Sequence, residues 1–202
     1  MREPVRVHAW PDGASQALAE LRSARALTVI SLVTPDTAIR HTARENIRTV
    51  LQEILGSLLH RPATAIALIS RPGHAIFLDW PDTPIGLSIS HAAGLTVAAI
   101  HVGTSIGVDV MQMAQGADAL PDWENVAHDY LGPQVCAQLA KLAPAQRAAA
   151  FAQAWSRWEA GLKCLGLALT EWTPALASRL ASCSVSALGL PENYGGAIAV
   201  PG

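Results

Sequence analysis

Residues 151–166 read FAQAWSRWEAGLKCLG, and their apolar side chains recur at steps of three and four. That spacing predicts one long amphipathic helix, which Pro144 opens. Glu159 and Lys163 are four positions apart and therefore project from the same side of this helix. Such a pair is most often a solvated ion pair of little consequence. The tryptophans beside it indicate instead a packed environment, in which a carboxylate is not expected unless it has a function.

A second carboxylate stands inside an apolar strand. Residues 105–111 read SIGVDVM, which places Asp109 among valines. A charge buried there is costly unless it is paired, hydrogen-bonded or bound to a metal. Two interpretations stay open: an edge strand that turns Asp109 to water, or a functional acid at a strand end. If folding brings Asp109 to Glu159 and Lys163, the three side chains could hold magnesium against a phosphate.

Composition limits the classes of function. The chain has 202 residues, of which 50% are hydrophobic, so it can build a sizeable core. A formal charge of −2 argues against bulk electrostatic binding to nucleic acid. The three cysteines are widely spaced, as in a reducing compartment, and show no zinc-type spacing. With no signal-peptide run at the start and no apolar stretch long enough to span a bilayer, we expect a cytoplasmic protein without membrane or nucleic-acid partners.

The order of elements repeats a strand–helix–strands pattern, with the change-over between 101 and 105. The expected elements are a strand at 26–33, a helix capped by Thr34 that ends near Gly56, strands at 64–69, 75–78, 87–90, 95–101 and 105–111, a polar loop at 113–122, a helical stretch from about 122, the long helix, and strands at 183–188 and 196–200. The 72–73 and 93–94 dipeptides are expected to form turns.

Ser90 and His91 close the strand at 87–90. They do not form a nucleophile elbow, because the final glycine of that motif is missing. Adjacent strand residues also point to opposite faces, so a catalytic Ser–His pair is disfavoured. A phosphate-contacting histidine or a capping serine is the favoured interpretation, with a surface histidine as the alternative.

Three arginines, Arg40, Arg44 and Arg48, recur at four-residue spacing along the first long helix. They form either a solvated face or an anion site, since guanidinium groups bind phosphates bidentately. His74 could add to such a site. The other five histidines show no ligand spacing, and no glycine-rich phosphate loop is present.

Taken together, these segments resemble the 4′-phosphopantetheinyl transferases, in particular the larger single-chain, surfactin-synthetase-activating type. The resemblance is strongest at GVDV, residues 107–110, and at WSRWEAGLKCLG, residues 155–166. Weaker similarities lie at LSISH (87–91), IRTVL (47–51), PGHA (72–75) and YLGPQ (130–134). The match runs from about Arg40 to Gly166, and the order of its segments is itself specific.

This resemblance implies an α+β fold of two similar halves related by a pseudo-twofold axis, with coenzyme A in the cleft between them. The halves would be residues 1–102, which contact the nucleotide, and residues 103–202, which carry the metal and catalytic residues. The chain would be a monomer. The implied reaction moves the phosphopantetheine arm of coenzyme A to a serine of an acyl or peptidyl carrier protein, in fatty acid, polyketide or nonribosomal peptide synthesis, and releases adenosine 3′,5′-bisphosphate.

The resemblance also implies roles for particular residues. Asp109 and Glu159 would hold Mg²⁺, and Glu159 would take the proton of the acceptor serine. Lys163 would bind coenzyme A and stabilise charge on the bridging oxygen. The remaining coenzyme A contacts would come from the side chains of Arg40, Arg44, His74, Ser90 and His91.

Three positions depart from the family pattern. Met111 stands where many members have a second acid, Trp158 where a lysine usually precedes the helix glutamate, and His74 where a lysine is usual. All three changes weaken contacts to phosphate or metal. The alternative is therefore a non-catalytic relative that keeps the fold and binds coenzyme A.

Overall fold

The computed structural model describes residues 3–35, 40–70, 75–80, 84–113 and 121–202. His74, the turn expected at 72–73 and most of the loop expected at 113–122 lie outside these ranges. The side chain of Arg40 is likewise outside the description. The predictions for these residues therefore stay predictions.

The described residues form a mixed α+β fold, as the sequence predicts. The strands are β1 Val5–Arg6, β2 His8–Ala9, β3 Leu27–Val33, β4 Leu68–Ile69, β5 Phe77–Leu78, β6 Ile85–Ala92, β7 Leu95–Val102, β8 Gly107–Gln112, β9 Cys183–Gly189 and β10 Tyr194–Pro201. The helices are α1 Ala14–Leu21, α2 Arg40–Leu59, α3 Trp123–Val126, α4 Pro133–Ala140, α5 Pro144–Cys164 and α6 Pro174–Leu180, with a 3-10 turn at Ala63–Ala65 and a π-helical turn at Ala127–Leu131.

Two four-stranded sheets carry the fold, and β4 and β5 form a separate hairpin. The first sheet has the order β2-β3-β7-β6 and the second the order β1-β9-β10-β8. Each sheet has three antiparallel strands and one two-residue strand that pairs in parallel at an edge. Since β1 pairs with β9, the second sheet takes one strand from the segment 1–102.

Two buried apolar clusters hold the helices and the two sheets together. Helix α2 packs on one face of the first sheet through Ile47, Leu51 and Ile54, which are fully buried. The opposite face of that sheet meets the second sheet, where Val29 of β3 and Val108 of β8 belong to one buried cluster. The two sheets therefore share an apolar interface, and burial of apolar surface of this kind is the main favourable term in folding.

The first long helix ends later than the sequence predicts. It continues through Gly56 to Leu59, and His60 takes the left-handed conformation at φ 55°. The amide of Arg61 donates to the carbonyl of Gly56 at 2.9 Å, which is the long hydrogen bond of a Schellman cap. Gly56 is needed for a different reason: a Cβ there would lie 2.8 Å from the carbonyl oxygen of Arg61.

The strand expected at 64–69 is also shorter than predicted. Its first half is the 3-10 turn Ala63–Ala65, closed by a hydrogen bond of 3.1 Å from the amide of Ile66 to the carbonyl of Ala63. The side chain of Gln52 then donates to the carbonyl of Ile66 at 2.9 Å, so this carbonyl bonds to a helix and not to a strand.

The remaining predicted elements agree with the structure to within two or three residues at their ends. Within the described ranges, none of the helices combines the length and the apolar character needed to cross a bilayer.

Candidate functional site

Helix α5 lies directly on the second sheet because glycines leave room for its backbone. A Cβ built on Gly107 of β8 would overlap the carbonyl oxygen of Ala160, and one built on Gly195 of β10 would lie 3.1 Å from Ala152. Ser156 is fully buried in this contact and donates to the carbonyl of Gly195 at 3.3 Å. The approach fixes the position of α5 along β8.

The C-terminal end of α5 is equally defined. Gly166 follows the helix at φ 67°, a conformation that a residue without Cβ adopts at little cost. The amide of Leu167 donates to the carbonyl of Leu162 at 2.9 Å, and that of Gly166 to the carbonyl of Lys163 at 3.1 Å. These two bonds make a complete Schellman cap around the turn that carries Lys163.

Asp109 projects from β8 toward α5, on the same face as Gly107. It is buried, with 4% of its surface exposed, so the interpretation as a water-facing edge residue is wrong. Its Oδ1 accepts hydrogen bonds from the ammonium of Lys163 at 2.7 Å and from the hydroxyl of Ser90 at 2.7 Å. The buried charge is therefore paired and hydrogen-bonded, as such a charge must be.

Glu159 joins Asp109 on the same ammonium group. Its Oε2 lies 3.5 Å from Lys163 Nζ, and its Oε1 accepts a hydrogen bond of 3.0 Å from the indole of Trp155. The side chains of Lys163 and Glu159 are 28% and 24% exposed, so the pair is not the solvated one that exposed helix positions usually hold. Folding thus brings the carboxylates of Asp109 and Glu159 together around the ammonium group of Lys163.

The electrostatics reflect this crowding. Burial, followed by the negative charge of Asp109, raises the pKa of Glu159, and together they outweigh the opposing effects of Lys163 and the Trp155 hydrogen bond. A like charge nearby and a poor solvent both disfavour the ionised form of a carboxyl group. Glu159 therefore holds a proton more readily than an exposed glutamate does.

The outer edge of β8 is capped by side chains. Among the described strands, β8 pairs only with β10, along one edge. Along its other edge, Ser88 and Ser90 accept hydrogen bonds from the amides of Val108 at 3.0 Å and Val110 at 3.3 Å. The ammonium of Lys163 donates to the carbonyl of Val108 at 3.1 Å. These caps satisfy buried backbone groups that would otherwise be left unpaired.

Two cavities meet at this group of residues. One, here called the aromatic cavity, has a volume of about 710 Å³ and is lined by Asp109, Met111, Trp123, Phe151 and Trp155 among others. The other, here called the arginine cavity, has a volume of about 770 Å³. Its lining includes Arg48, Ser70, Ser88, Leu162 and Leu169. Both cavities are also lined by the shared residues Arg44, Ile89, His91, Glu159 and Lys163.

The predicted anion-binding residues divide into two kinds. Arg44 is exposed and lines both cavities. Arg48 donates to the hydroxyl of Ser70 at 2.7 Å and to the carbonyl of Leu68 at 2.6 Å, which ties α2 to β4. His91 lines both cavities, and its Nδ1 lies 2.8 Å from Thr96 Oγ1. Arg44 and His91 thus reach the shared wall, whereas Arg48 has a structural role.

Sequence reasoning missed several residues of this site. The spacing of Trp155 predicts only that it packs on the apolar face of α5, yet its indole donates a hydrogen bond to Glu159. Ser88 received no role, although its position two residues before Ser90 places both hydroxyls on one face of β6.

Met111 packs against the aromatic cluster that contains Phe151 and Trp155. It supplies no oxygen ligand beside Asp109 and Glu159. Accordingly, a group of three or more His, Cys, Asp or Glu side chains suited to a metal is not found in the described parts of the chain. Trp158 donates from its indole to the carbonyl of Thr170 at 3.3 Å, and thus away from the two carboxylates.

Residues 105–189 match the family model of the 4′-phosphopantetheinyl transferase superfamily. The match begins just before β8 and ends with β9, so it includes Asp109, Glu159 and Lys163. Proteins of that superfamily act on carrier proteins with coenzyme A, and the match supports phosphopantetheine transfer in general for this region. No curated protein gives a significant match to the chain.

Proposed function

We propose that this protein is a magnesium-dependent 4′-phosphopantetheinyl transferase of the larger single-chain, surfactin-synthetase-activating type. It would move the phosphopantetheine arm of coenzyme A to a serine of an acyl or peptidyl carrier protein. The observation that carries the proposal is the convergence of Asp109 and Glu159 on Lys163, at the junction of two cavities. A donor molecule in one cavity and an acceptor in the other would meet there.

The two carboxylates suit a magnesium ion. Mg²⁺ is typically bound by one or two protein carboxylates together with substrate phosphates and waters. Asp109 is held by Lys163 and Ser90, and Glu159 by Trp155, so both ligands are oriented before a cation arrives. The ion would neutralise charge on the pyrophosphate of coenzyme A.

The residues of this chain account for the proton and the leaving group. The serine hydroxyl of the carrier forms a new bond to the phosphorus next to the pantetheine arm, and the bond from that phosphorus to the bridging oxygen breaks. Glu159 would accept the serine proton, directly or through a water. Lys163 stabilises the charge that develops on the bridging oxygen of the departing adenosine 3′,5′-bisphosphate.

The nucleotide would lie on the shared wall toward the arginine cavity. On that wall, the described side chains of Arg44, His91 and Lys163 offer positive charge or hydrogen bonds to a phosphate. Arg40 and His74 are proposed as further contacts from the sequence alone. The aromatic cavity would admit the carrier serine, because it opens on Asp109 and Glu159 from the other side.

We further propose that the chain is a monomer of two related halves, residues 1–102 and 103–202, and the likeness of the two sheets supports the two halves. Each half has one long helix and supplies three antiparallel strands to one sheet. The short edge strands β1 and β2 break this correspondence, because both come from the first half although they pair in different sheets.

The test is a transfer assay on a panel of apo carrier proteins from fatty acid, polyketide and peptide synthesis. The protein is incubated with coenzyme A and Mg²⁺, and each carrier is weighed by mass spectrometry. We expect at least one carrier to gain the mass of one phosphopantetheine arm, and Glu159→Ala to abolish the gain. If a known transferase modifies the same panel and this protein modifies none of it, the proposal fails.

Met111 and Trp158 favour a second candidate, a relative that binds coenzyme A without transfer. Neither side chain supplies the charge that many family members place at these positions. Calorimetry separates the two candidates: the transferase binds coenzyme A more tightly when Mg²⁺ is present, whereas the binding relative shows no such dependence and modifies no carrier.

A further inference from the structure

We propose that Ser90 is a positioning residue that holds the Asp109 carboxylate ready for a divalent cation, and that its hydroxyl does not bind the phosphates of coenzyme A. The inference rests on the proposed function, because it concerns the same cation site. It replaces the role that the sequence resemblance assigns to Ser90.

The hydrogen-bonding capacity of a serine decides between the two roles. A serine hydroxyl has one proton to donate and two lone pairs to accept. The proton of Ser90 is directed at Asp109 Oδ1, at 2.7 Å, and one lone pair accepts from the amide of Val110. Only a lone pair remains, and an ionised phosphate oxygen needs a donor. Ser90 therefore cannot bind such a phosphate without releasing Asp109.

Burial keeps the Ser90 hydroxyl in this arrangement. The residue is only 6% exposed, on strand β6, whose pairing with β7 fixes its backbone. A hydroxyl that left Asp109 would strand a buried carboxylate with one donor fewer, which costs free energy. The bond to Asp109 is thus part of the folded core.

The geometry at Asp109 leaves one oxygen for a cation. Both Ser90 and Lys163 donate to Oδ1, and among the described residues no hydrogen bond reaches Oδ2. Two donors on one oxygen fix the rotation of the carboxylate. The other oxygen can then serve as a ligand in a defined direction, which is how residues behind a metal ligand usually raise metal affinity.

Ser88 provides a matched control on the same strand. It is 4% exposed and accepts a hydrogen bond from the amide of Val108, much as Ser90 does from Val110. Its hydroxyl bonds no carboxylate in the described structure. Replacing either serine by alanine removes one backbone cap, but only the change at Ser90 removes a donor from Asp109.

The experiment measures Mn²⁺ binding, with Mn²⁺ as the probe for the cation site. Free Mn²⁺ is counted by electron paramagnetic resonance while it is titrated into protein saturated with coenzyme A. We expect Ser90→Ala to weaken Mn²⁺ binding about 10-fold, the lower end of the effect seen for residues behind metal ligands. Ser88→Ala should bind Mn²⁺ as the wild type does, and Ser90→Thr, which keeps a hydroxyl, should recover most of the affinity.

A second measurement tests the other half of the inference. Calorimetry of coenzyme A binding in the presence of a chelator, without any divalent cation, reports on direct phosphate contacts. The inference requires equal coenzyme A affinity for the wild type and Ser90→Ala under this condition. A loss of affinity there, or an unchanged Mn²⁺ affinity in Ser90→Ala, would overturn it. So would equal losses of Mn²⁺ affinity in Ser88→Ala and Ser90→Ala, since these would indicate general destabilisation.

These outcomes are distinct from failure of the proposed function. If the wild type binds Mn²⁺ and coenzyme A but modifies no carrier, transfer is wrong while the role of Ser90 still stands on the titration. Thermal unfolding of both alanine variants checks the controls: similar melting temperatures support the inference, because then the difference in Mn²⁺ affinity comes from the carboxylate.

Discussion

The two long helices meet the sheets in different ways. Helix α2 packs through large aliphatic side chains, among them Ile47, Leu51 and Ile54, and so stands a side chain's length from its sheet. Helix α5 lies against Gly107 and Gly195 through its own backbone and small residues. Close approach fixes Glu159 and Lys163 to the strand that carries Asp109, whereas Arg44 of α2 reaches its cavities from an exposed position.

The two ways of packing suit two different tasks: catalysis by the side chains of α5 and phosphate binding by those of α2. A proton acceptor and metal ligands must be held within a fraction of an ångström of their working positions, and a backbone contact does this best. A cation that binds a phosphate tolerates more freedom, because its attraction extends over several ångströms.

The largest effect is expected on kcat, from a substitution on helix α5. Glu159→Gln keeps the shape of the side chain but removes its charge and its ability to take a proton. We expect kcat for carrier modification to fall by about 10²–10⁴. Arg157→Gln, on an exposed face of the same helix, should leave kcat unchanged. Steady-state assays of both variants make the comparison, and a Glu159→Gln enzyme with near wild-type kcat would refute the role of α5.

The second prediction concerns the backbone contact itself. Gly107→Ala places a Cβ against the carbonyl of Ala160, so α5 must move away from β8. We expect the free energy of unfolding to fall by roughly 1–3 kcal/mol, the usual effect of overpacking. Denaturant titration measures the change. Gly189→Ala is the control, because among the described residues a Cβ there meets only the backbone of Val5, at an ordinary contact distance of 3.5 Å.

The third prediction compares two arginines of α2. Arg44→Ala should weaken coenzyme A binding about 10-fold, which is the loss of one charge-assisted hydrogen bond, and should leave the melting temperature unchanged. Arg48→Ala should do the reverse, since its two hydrogen bonds hold Ser70 and Leu68. Calorimetry and thermal unfolding are measured for both variants. Equal losses of affinity would show that the arginine stripe acts as one site.

The smallest effect is expected on the melting temperature, through the pH dependence that Glu159 gives to stability. Burial and the charge of Asp109 raise the pKa of Glu159 in the folded protein, so the folded state binds the proton more readily than the unfolded chain does. Its contribution to stability is therefore greatest in acid and is lost as the pH rises from about 4 through the raised pKa. We expect metal-free Glu159→Gln to melt roughly 1–3 °C above the wild type at neutral pH. A melting temperature below that of the wild type would contradict this sign.

Much of this arrangement was predictable from residue patterns. The three-and-four spacing of α5 and the valines around Asp109 define two elements whose types depend on local periodicity, and the structure has both. The end of α2 was misplaced because Gly56 resembles a helix stop, while His60 takes the left-handed conformation. Local patterns thus predict elements better than they predict where those elements end.

The contacts between elements were harder to foresee. Ser90 and Asp109 lie on strands of different sheets, and nothing in their spacing indicates that one hydroxyl caps the edge of β8 and also binds the carboxylate. The pairing of β1 with β9 joins the two ends of the chain and is equally invisible in local sequence. Such contacts depend on tertiary packing, which a single sequence does not display.

The central claim is that Asp109 and Glu159 share one divalent cation at the junction of the two cavities. Its most direct test is the number of Mn²⁺ ions bound in the presence of coenzyme A, counted for the wild type, Asp109→Asn and Glu159→Gln. The account predicts one tightly bound ion in the wild type and none in either variant. A tightly bound ion that survives in one of the variants would show that the two carboxylates do not share it.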